Sequence, residues 1–155
     1  MKKTLISMLS IVLAVVMLVG CGGNGAGGGK IEGTLDEIMD KIYEGANSEV
    51  TGFKTEVTAE NAEYFLGTTD LSFTEALASE PMIGAIAHSV VLVRMDAKAD
   101  MAAAKKMIKD NVDPRKWICV GVEPDQVIVD SVGDLIILVM SVDAKAFVDA
   151  FQALK

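Results

Sequence analysis

Val127-Ile128-Val129-Asp130-Ser131-Val132-Gly133-Asp134-Leu135-Ile136-Ile137-Leu138-Val139-Met140 is the stretch that decides the fold. Two apolar runs rich in β-branched residues flank Ser131 to Asp134, and the glycine in that gap is a turn signal, so the pair reads as a hairpin. Strands joined by a tight turn run antiparallel, because a parallel pair needs a crossover of a dozen or more residues. On the N-terminal side, Ser89-Val90-Val91-Leu92-Val93-Arg94-Met95 is a further strand. It is apolar at both parities before Arg94, which predicts cover on both of its faces. Between these strands, Asp100 to Asn111 reads as a helix. Met101, Ala104, Met107 and Ile108 recur at helical spacing, and Lys105, Lys106 and Lys109 form the wet side. After the hairpin, Asp143 caps a last helix whose buried side is Phe147, Ala150, Phe151 and Leu154. The order strand, helix, strand, strand, helix predicts an α+β domain: a small antiparallel sheet with helices packed on one face.

Earlier in the chain, Thr34-Leu35-Asp36-Glu37 has the form of a capping box, and Leu35, Ile38, Met39 and Ile42 follow at helical spacing up to Gly45. Phe53 to Val57 suits a short strand. Thr58 to Leu66 fits either a helical turn or an extended segment. Ser72-Phe73-Thr74-Glu75 repeats the capping-box signature before Ala76, Leu77 and Ala78, which predicts a short helix stopped by Pro81.

The N-terminus carries an address. Lys2 and Lys3 precede an apolar run from Thr4 to Met17, and Leu18-Val19-Gly20-Cys21 closes it. This is the form of a bacterial lipobox: a charged start, an apolar middle and a small residue at the cleavage site. Cys21 then becomes the lipid-bearing N-terminus, anchored in the membrane through a diacylglyceryl group at about 0.8 kcal/mol per buried methylene. The competing reading, an uncleaved span, has only roughly 16 apolar or small residues where ~20 are needed. Residues 22–29 are almost all glycine and read as a tether of ~16 Å average reach. The expected organisation is a signal peptide over 1–20, a lipidated cysteine and tether over 21–33, and one globular domain over 34–155. The expected location is the extracytoplasmic face of the cell membrane.

Removing 1–20 takes away Lys2 and Lys3 and no acid, moving the net charge from −8 to about −10. So acidic a surface argues against nucleic acid, which needs clustered Lys and Arg. It also argues against lying flat on anionic lipid. The remaining length suffices for one core. With Cys21 lipidated, Cys119 is left unpaired, and its setting in Trp117-Ile118-Cys119-Val120-Gly121-Val122 predicts a small buried hydrophobe.

Chemistry-bearing residues are sparse. His88 is the single histidine, so no zinc set at the usual spacing exists, and neither a metal nor a cofactor is expected. On a strand His88 and Ser89 point to opposite faces and cannot pair as base and nucleophile. His88 is instead expected to meet a backbone partner at the strand entry. The acids lack the alternation of a calcium loop, and the glycine run lacks the Gly-Lys-Ser/Thr ending of a phosphate loop. Pro81, Met82, Ile83 and Ile86 lie in an apolar, methionine-containing stretch that reads either as a buried lead-in to the strand or as an exposed patch for a partner. Lys116 and Trp117 form a smaller second candidate, with core packing as the alternative for the tryptophan.

Two blocks, Ala78 to Arg94 and Asp113 to Val122, followed by the Val132-Gly133-Asp134-Leu135 turn, resemble small lipoproteins of Firmicutes, mostly clostridia, that carry a domain of unknown function. The resemblance implies an anchored envelope protein of a Gram-positive anaerobe and carries no activity. The expected function is therefore a non-enzymatic binding or interaction module at the cell envelope, for a protein partner or a small ligand. The alternatives are an envelope enzyme acting on cell-wall material, with His88 near acids in a cleft, and an accessory subunit of a transporter or secretion system.

Overall fold

A computed structural model describes residues 29–155. The lipobox, Cys21 and most of the glycine tether lie outside the described residues. The elements are α1 (Leu35–Ala46), β1 (Phe53–Glu56), α2 (Ala62–Leu66), β2 (Glu75–Glu80), β3 (His88–Arg94), α3 (Met101–Asn111), β4 (Val127–Val132), β5 (Leu135–Ser141) and α4 (Ala144–Gln152). The strands form one antiparallel sheet in the order β1-β2-β3-β5-β4. This is the expected antiparallel α+β architecture. Among the described residues no helix is long and apolar enough to cross a membrane.

The hairpin forms as its sequence predicts. Val132 pairs with Leu135 across a two-residue loop. Gly133 sits at φ 57°, the left-handed backbone that the first loop position of a tight hairpin calls for. A side chain there would also strike the chain's entry, since an added Cβ would stand 2.8 Å from the Gly29 carbonyl oxygen.

The helices do not share one face. On β3, Val90 and Leu92 point toward α1 and α4, and Val91 and Val93 point toward α2 and α3. β5 divides likewise, with Ile137 and Val139 against α1 and α4 and Ile136 and Leu138 on the other side. The reason is the apolar run at both parities: each face of β3 and β5 is too apolar to leave in water, and one helix layer covers only one face. Each fully buried Leu, Ile or Phe here contributes about 1.5–3 kcal/mol.

Residues 75–80 also depart from the expected structure. The capping-box signature at Ser72 predicts a helix, yet this segment is β2, paired with both β1 and β3. Ala76 and Ala78 enter one core and Leu77 packs against the other, a period of two that the short, small-residue run concealed. Asp143 precedes α4 as expected but makes no side-chain cap hydrogen bond. By contrast, Thr34 and Glu37 complete a reciprocal capping box on α1.

The sheet has two distinct ends. At one, Arg94 of β3 lies opposite Leu135 of β5 beside the hairpin turn. Arg94 Nη2 also donates to the Gly33 carbonyl there at 2.9 Å. Gly29 approaches Gly133 and Lys155, so the described chain enters at this end. At the other, His88 faces Ser141. The seven residues of β3 put the two ends about 20 Å apart.

Candidate functional site

At the His88 end two polar groups are built into the core, one on each face of the sheet. On the α1/α4 face, His88 is only 1% exposed. The Ser79 hydroxyl donates to Tyr43 Oη at 2.9 Å. That leaves the Tyr43 hydroxyl to donate to His88 Nε2 at 2.8 Å, and His88 Nδ1–H to donate to Ser141 Oγ at 3.0 Å. The direction of the chain thus sets the histidine tautomer. Phe147 packs beside both rings, 5.0 Å from Tyr43 and 5.0 Å from His88. His88 was expected to meet a backbone group; its ring instead bridges two hydroxyls.

Burial pushes the His88 pKa down to about 4 against the opposing pull of Glu80 and Asp143, so the ring is neutral at pH 7. Burial also raises Tyr43. A histidine titrating at 6.5 unfolded and about 4 folded binds fewer protons when folded between those values. Its contribution to stability is complete above pH 6.5, is lost as pH falls from 6.5 to 4, and changes no further below. The loss is on the order of 3 kcal/mol. Urea midpoints from pH 7 to 4 check this: His88→Gln should start lower and fall less steeply than the parent. Parallel curves for the two chains would refute it.

On the α2/α3 face, Lys116 and Glu80 form an ion pair, with Nζ 2.5 Å from Oε1 and side chains only 5% and 14% exposed. The ammonium is the charged partner of Oε1, and the pair is held away from solvent on both sides. The ammonium stands 4.4 Å from the centre of the Tyr64 ring, 5.1 Å from Phe65 and 5.5 Å from Trp117. Such a box favours the cation through the ring faces once water is excluded. Burial lowers the Lys116 pKa against the pull of Glu80. The Tyr64 hydroxyl donates to Glu80 Oε2 at 3.1 Å. Its own pKa is pushed up to about 12 by burial, with the Glu80 charge adding to it.

The surface of this end is apolar. Met82, Ile83 and Ile86 stand exposed on the β2–β3 loop, Met82 at 87%. Phe53 is exposed on β1 opposite Glu80, and Tyr64 beside that same glutamate. Ile118 is exposed where its N–H donates to the Gly84 carbonyl, and Val142 directly after Ser141. Among the described residues, these are the exposed large hydrophobic side chains, and they share the end opposite Gly29. Part of the surface is a groove of about 480 Å³ between residues 49–53 and the 81–86 loop. Gly52 forms its floor against the buried chain: an added Cβ would stand 1.9 Å from Ser79 Oγ and 2.8 Å from Tyr43 Oη.

The candidate residues Pro81, Met82, Ile83 and Ile86 therefore come together, as an exposed loop and not as a buried lead-in. Trp117 lies beneath them in the core, its Nε1–H buried without an acceptor among the described residues. His88 is at the same end but does not line the groove. Cys119, expected to be buried, is exposed at φ 63°. The run around it is a loop and not a strand, so its apolar character does not translate into burial. The sequence offered no pointer to Tyr43 or Ser141, which meet His88 across up to 53 residues of chain, nor to Ser79, which donates to Tyr43. Among the described residues no group of three or more His, Cys, Asp or Glu is placed to hold a metal ion. Comparison with family models, with curated proteins and with solved structures finds no match to this chain.

Proposed function

We propose that the chain is an extracytoplasmic lipoprotein, anchored through a diacylglyceryl group on Cys21, whose domain works by binding a partner at the cell envelope. The observation that carries this reading is the collection of exposed apolar side chains, with their groove, at one end of the sheet. Exposed apolar surface costs solubility, and a contiguous patch of it marks a contact site. The anchored part rests on Leu18-Val19-Gly20-Cys21 and the resemblance to clostridial lipoproteins. The polar groups behind the patch are engaged with one another: both His88 ring nitrogens are hydrogen-bonded, and Lys116 is paired with Glu80. They brace the surface and leave no unengaged imidazole nitrogen in the groove.

Two experiments test the two halves. Metabolic labelling with a fatty-acid analogue in a Gram-positive host should mark the protein, and Cys21→Ser should abolish the label; an unlabelled parent would remove the anchor. Thermal unfolding of the full chain can be followed against divalent cations, sugars, peptides and wall fragments. A ligand at ~100 times its Kd adds about 2.7 kcal/mol, a shift of several degrees. A shift with peptides supports the binding reading. Specific turnover that disappears in His88→Ala would overturn it in favour of an envelope enzyme.

A further inference from the structure

We infer that the apolar end faces away from the membrane and takes an extended apolar segment of another protein, one that carries basic residues. The inference deepens the anchored reading and rests on it for its orientation.

The placement follows from where the chain enters. Gly29 lies against the Gly133 turn and Lys155, at the Arg94 end of the sheet. From Cys21 to Gly29 the chain can stretch no more than about 27 Å. Turning the domain over would require that length to run almost straight along a strand layer about 20 Å high, with the loops at both ends added. The exposed Met82, Ile83 and Ile118 thus point outward, and the bilayer that holds the anchor is not their partner. Nor is a second copy on the same membrane, because two domains standing on one surface present their outer ends in the same direction and not to each other.

The chemistry of the occupant follows from the groove and its neighbour. Beside the groove runs β1, an edge strand of the sheet whose one strand neighbour is β2. Its outer edge offers the Lys54 main chain to an added strand, the Glu56 carbonyl being held by Asn61 Nδ2 at 3.0 Å, and the groove at the Phe53 end offers an apolar lining to the side chains that continue from that strand. Glu49 is the one charged side chain on the lining, and the whole chain carries a net charge of −8. Both favour lysine or arginine on the incoming segment. Met82 supplies a side chain that adapts to different apolar shapes.

The full lipidated chain, reconstituted in phosphatidylcholine vesicles that carry no net charge, provides the test. The probe is a fluorescent peptide of alternating isoleucine and threonine flanked by lysines, and the control is its glutamate-flanked analogue. Anisotropy should show saturable binding of the lysine peptide and weaker binding of the control. The exposed pair Met82→Glu/Ile83→Glu should weaken binding about tenfold or more, while Lys98→Glu at the opposite end should not. Absence of saturable binding, or equal binding to the Met82→Glu/Ile83→Glu chain, overturns the proposal.

Orientation is read separately, with a fluorophore on Met82→Cys or Lys98→Cys in a Cys119→Ser background and brominated lipid as quencher. Stronger quenching at 98 is expected. Stronger quenching at 82 overturns the proposal and makes the bilayer the occupant. Self-association abolished by Met82→Glu/Ile83→Glu overturns it in favour of a second copy. Failure of the anchored reading looks different: the parent then floats with vesicles no better than Cys21→Ser. That outcome removes the orientation, while the peptide measurement still decides the docking.

Discussion

Replacing Lys116 with methionine is expected to destabilise the domain by about 3–5 kcal/mol, lowering Tm by 10 °C or more on the scale of a domain this size. Methionine is an unbranched side chain of similar length and fills most of the lysine stem's space, so the loss is mainly electrostatic. Glu80 is left 14% exposed, its charge facing the Tyr64, Phe65 and Trp117 rings with no ammonium between them. Of its contacts only the Tyr64 hydroxyl remains. Removing both charges tests that account. A Lys116→Met/Glu80→Leu chain should recover most of the loss, because two apolar groups fill the site with no ion to desolvate. Calorimetry of the parent, single and double variants measures it. A double variant no more stable than Lys116→Met would place the effect in packing and refute the ionic explanation.

Truncating Phe147 to alanine is the second large effect, about 3–5 kcal/mol. Phe147 is fully buried between α4 and the sheet, and its ring is in contact range of both Tyr43 and His88. The cavity loses dispersion contacts that the surrounding helices cannot close up to replace. It also opens beside the hydroxyl chain. Water reaching that space restores hydration to the imidazole, so the His88 pKa should rise from about 4 back toward 6.5. Denaturant unfolding measures the stability, and NMR titration of the one histidine follows the second consequence. Loss of stability with an unmoved His88 would mean that Phe147 supports the core without keeping the histidine dry.

Much of this architecture was legible. The hairpin around Gly133, the apolar strand ending at Arg94, the lysine-faced helix α3 and the capped start of α1 each carry a local signal, and each is present. So is the apolar character of residues 81–86, though the sequence left open whether they are buried. Ser72 to Glu80 failed as a helix for a physical reason: Ala and Ser suit several backbones, and pairing with β1 and β3 outweighs a local cap. Cys119 failed because an apolar neighbourhood in the sequence is not an apolar neighbourhood in space.

Local patterning alone determined four of the five strands and three of the four helices, the acidic balance and the expectation of an anchor at Cys21. Those depend on periodicity, turn chemistry and composition, which act over a few residues. Three things required the tertiary structure: the split of the helices between two faces, the joining of Tyr43, Ser79, His88 and Ser141, and the gathering of the exposed apolar side chains opposite the chain's entry. Each is a relation between residues distant in the chain, set by how two apolar sheet faces are covered and which strand ends meet, and no local pattern encodes it.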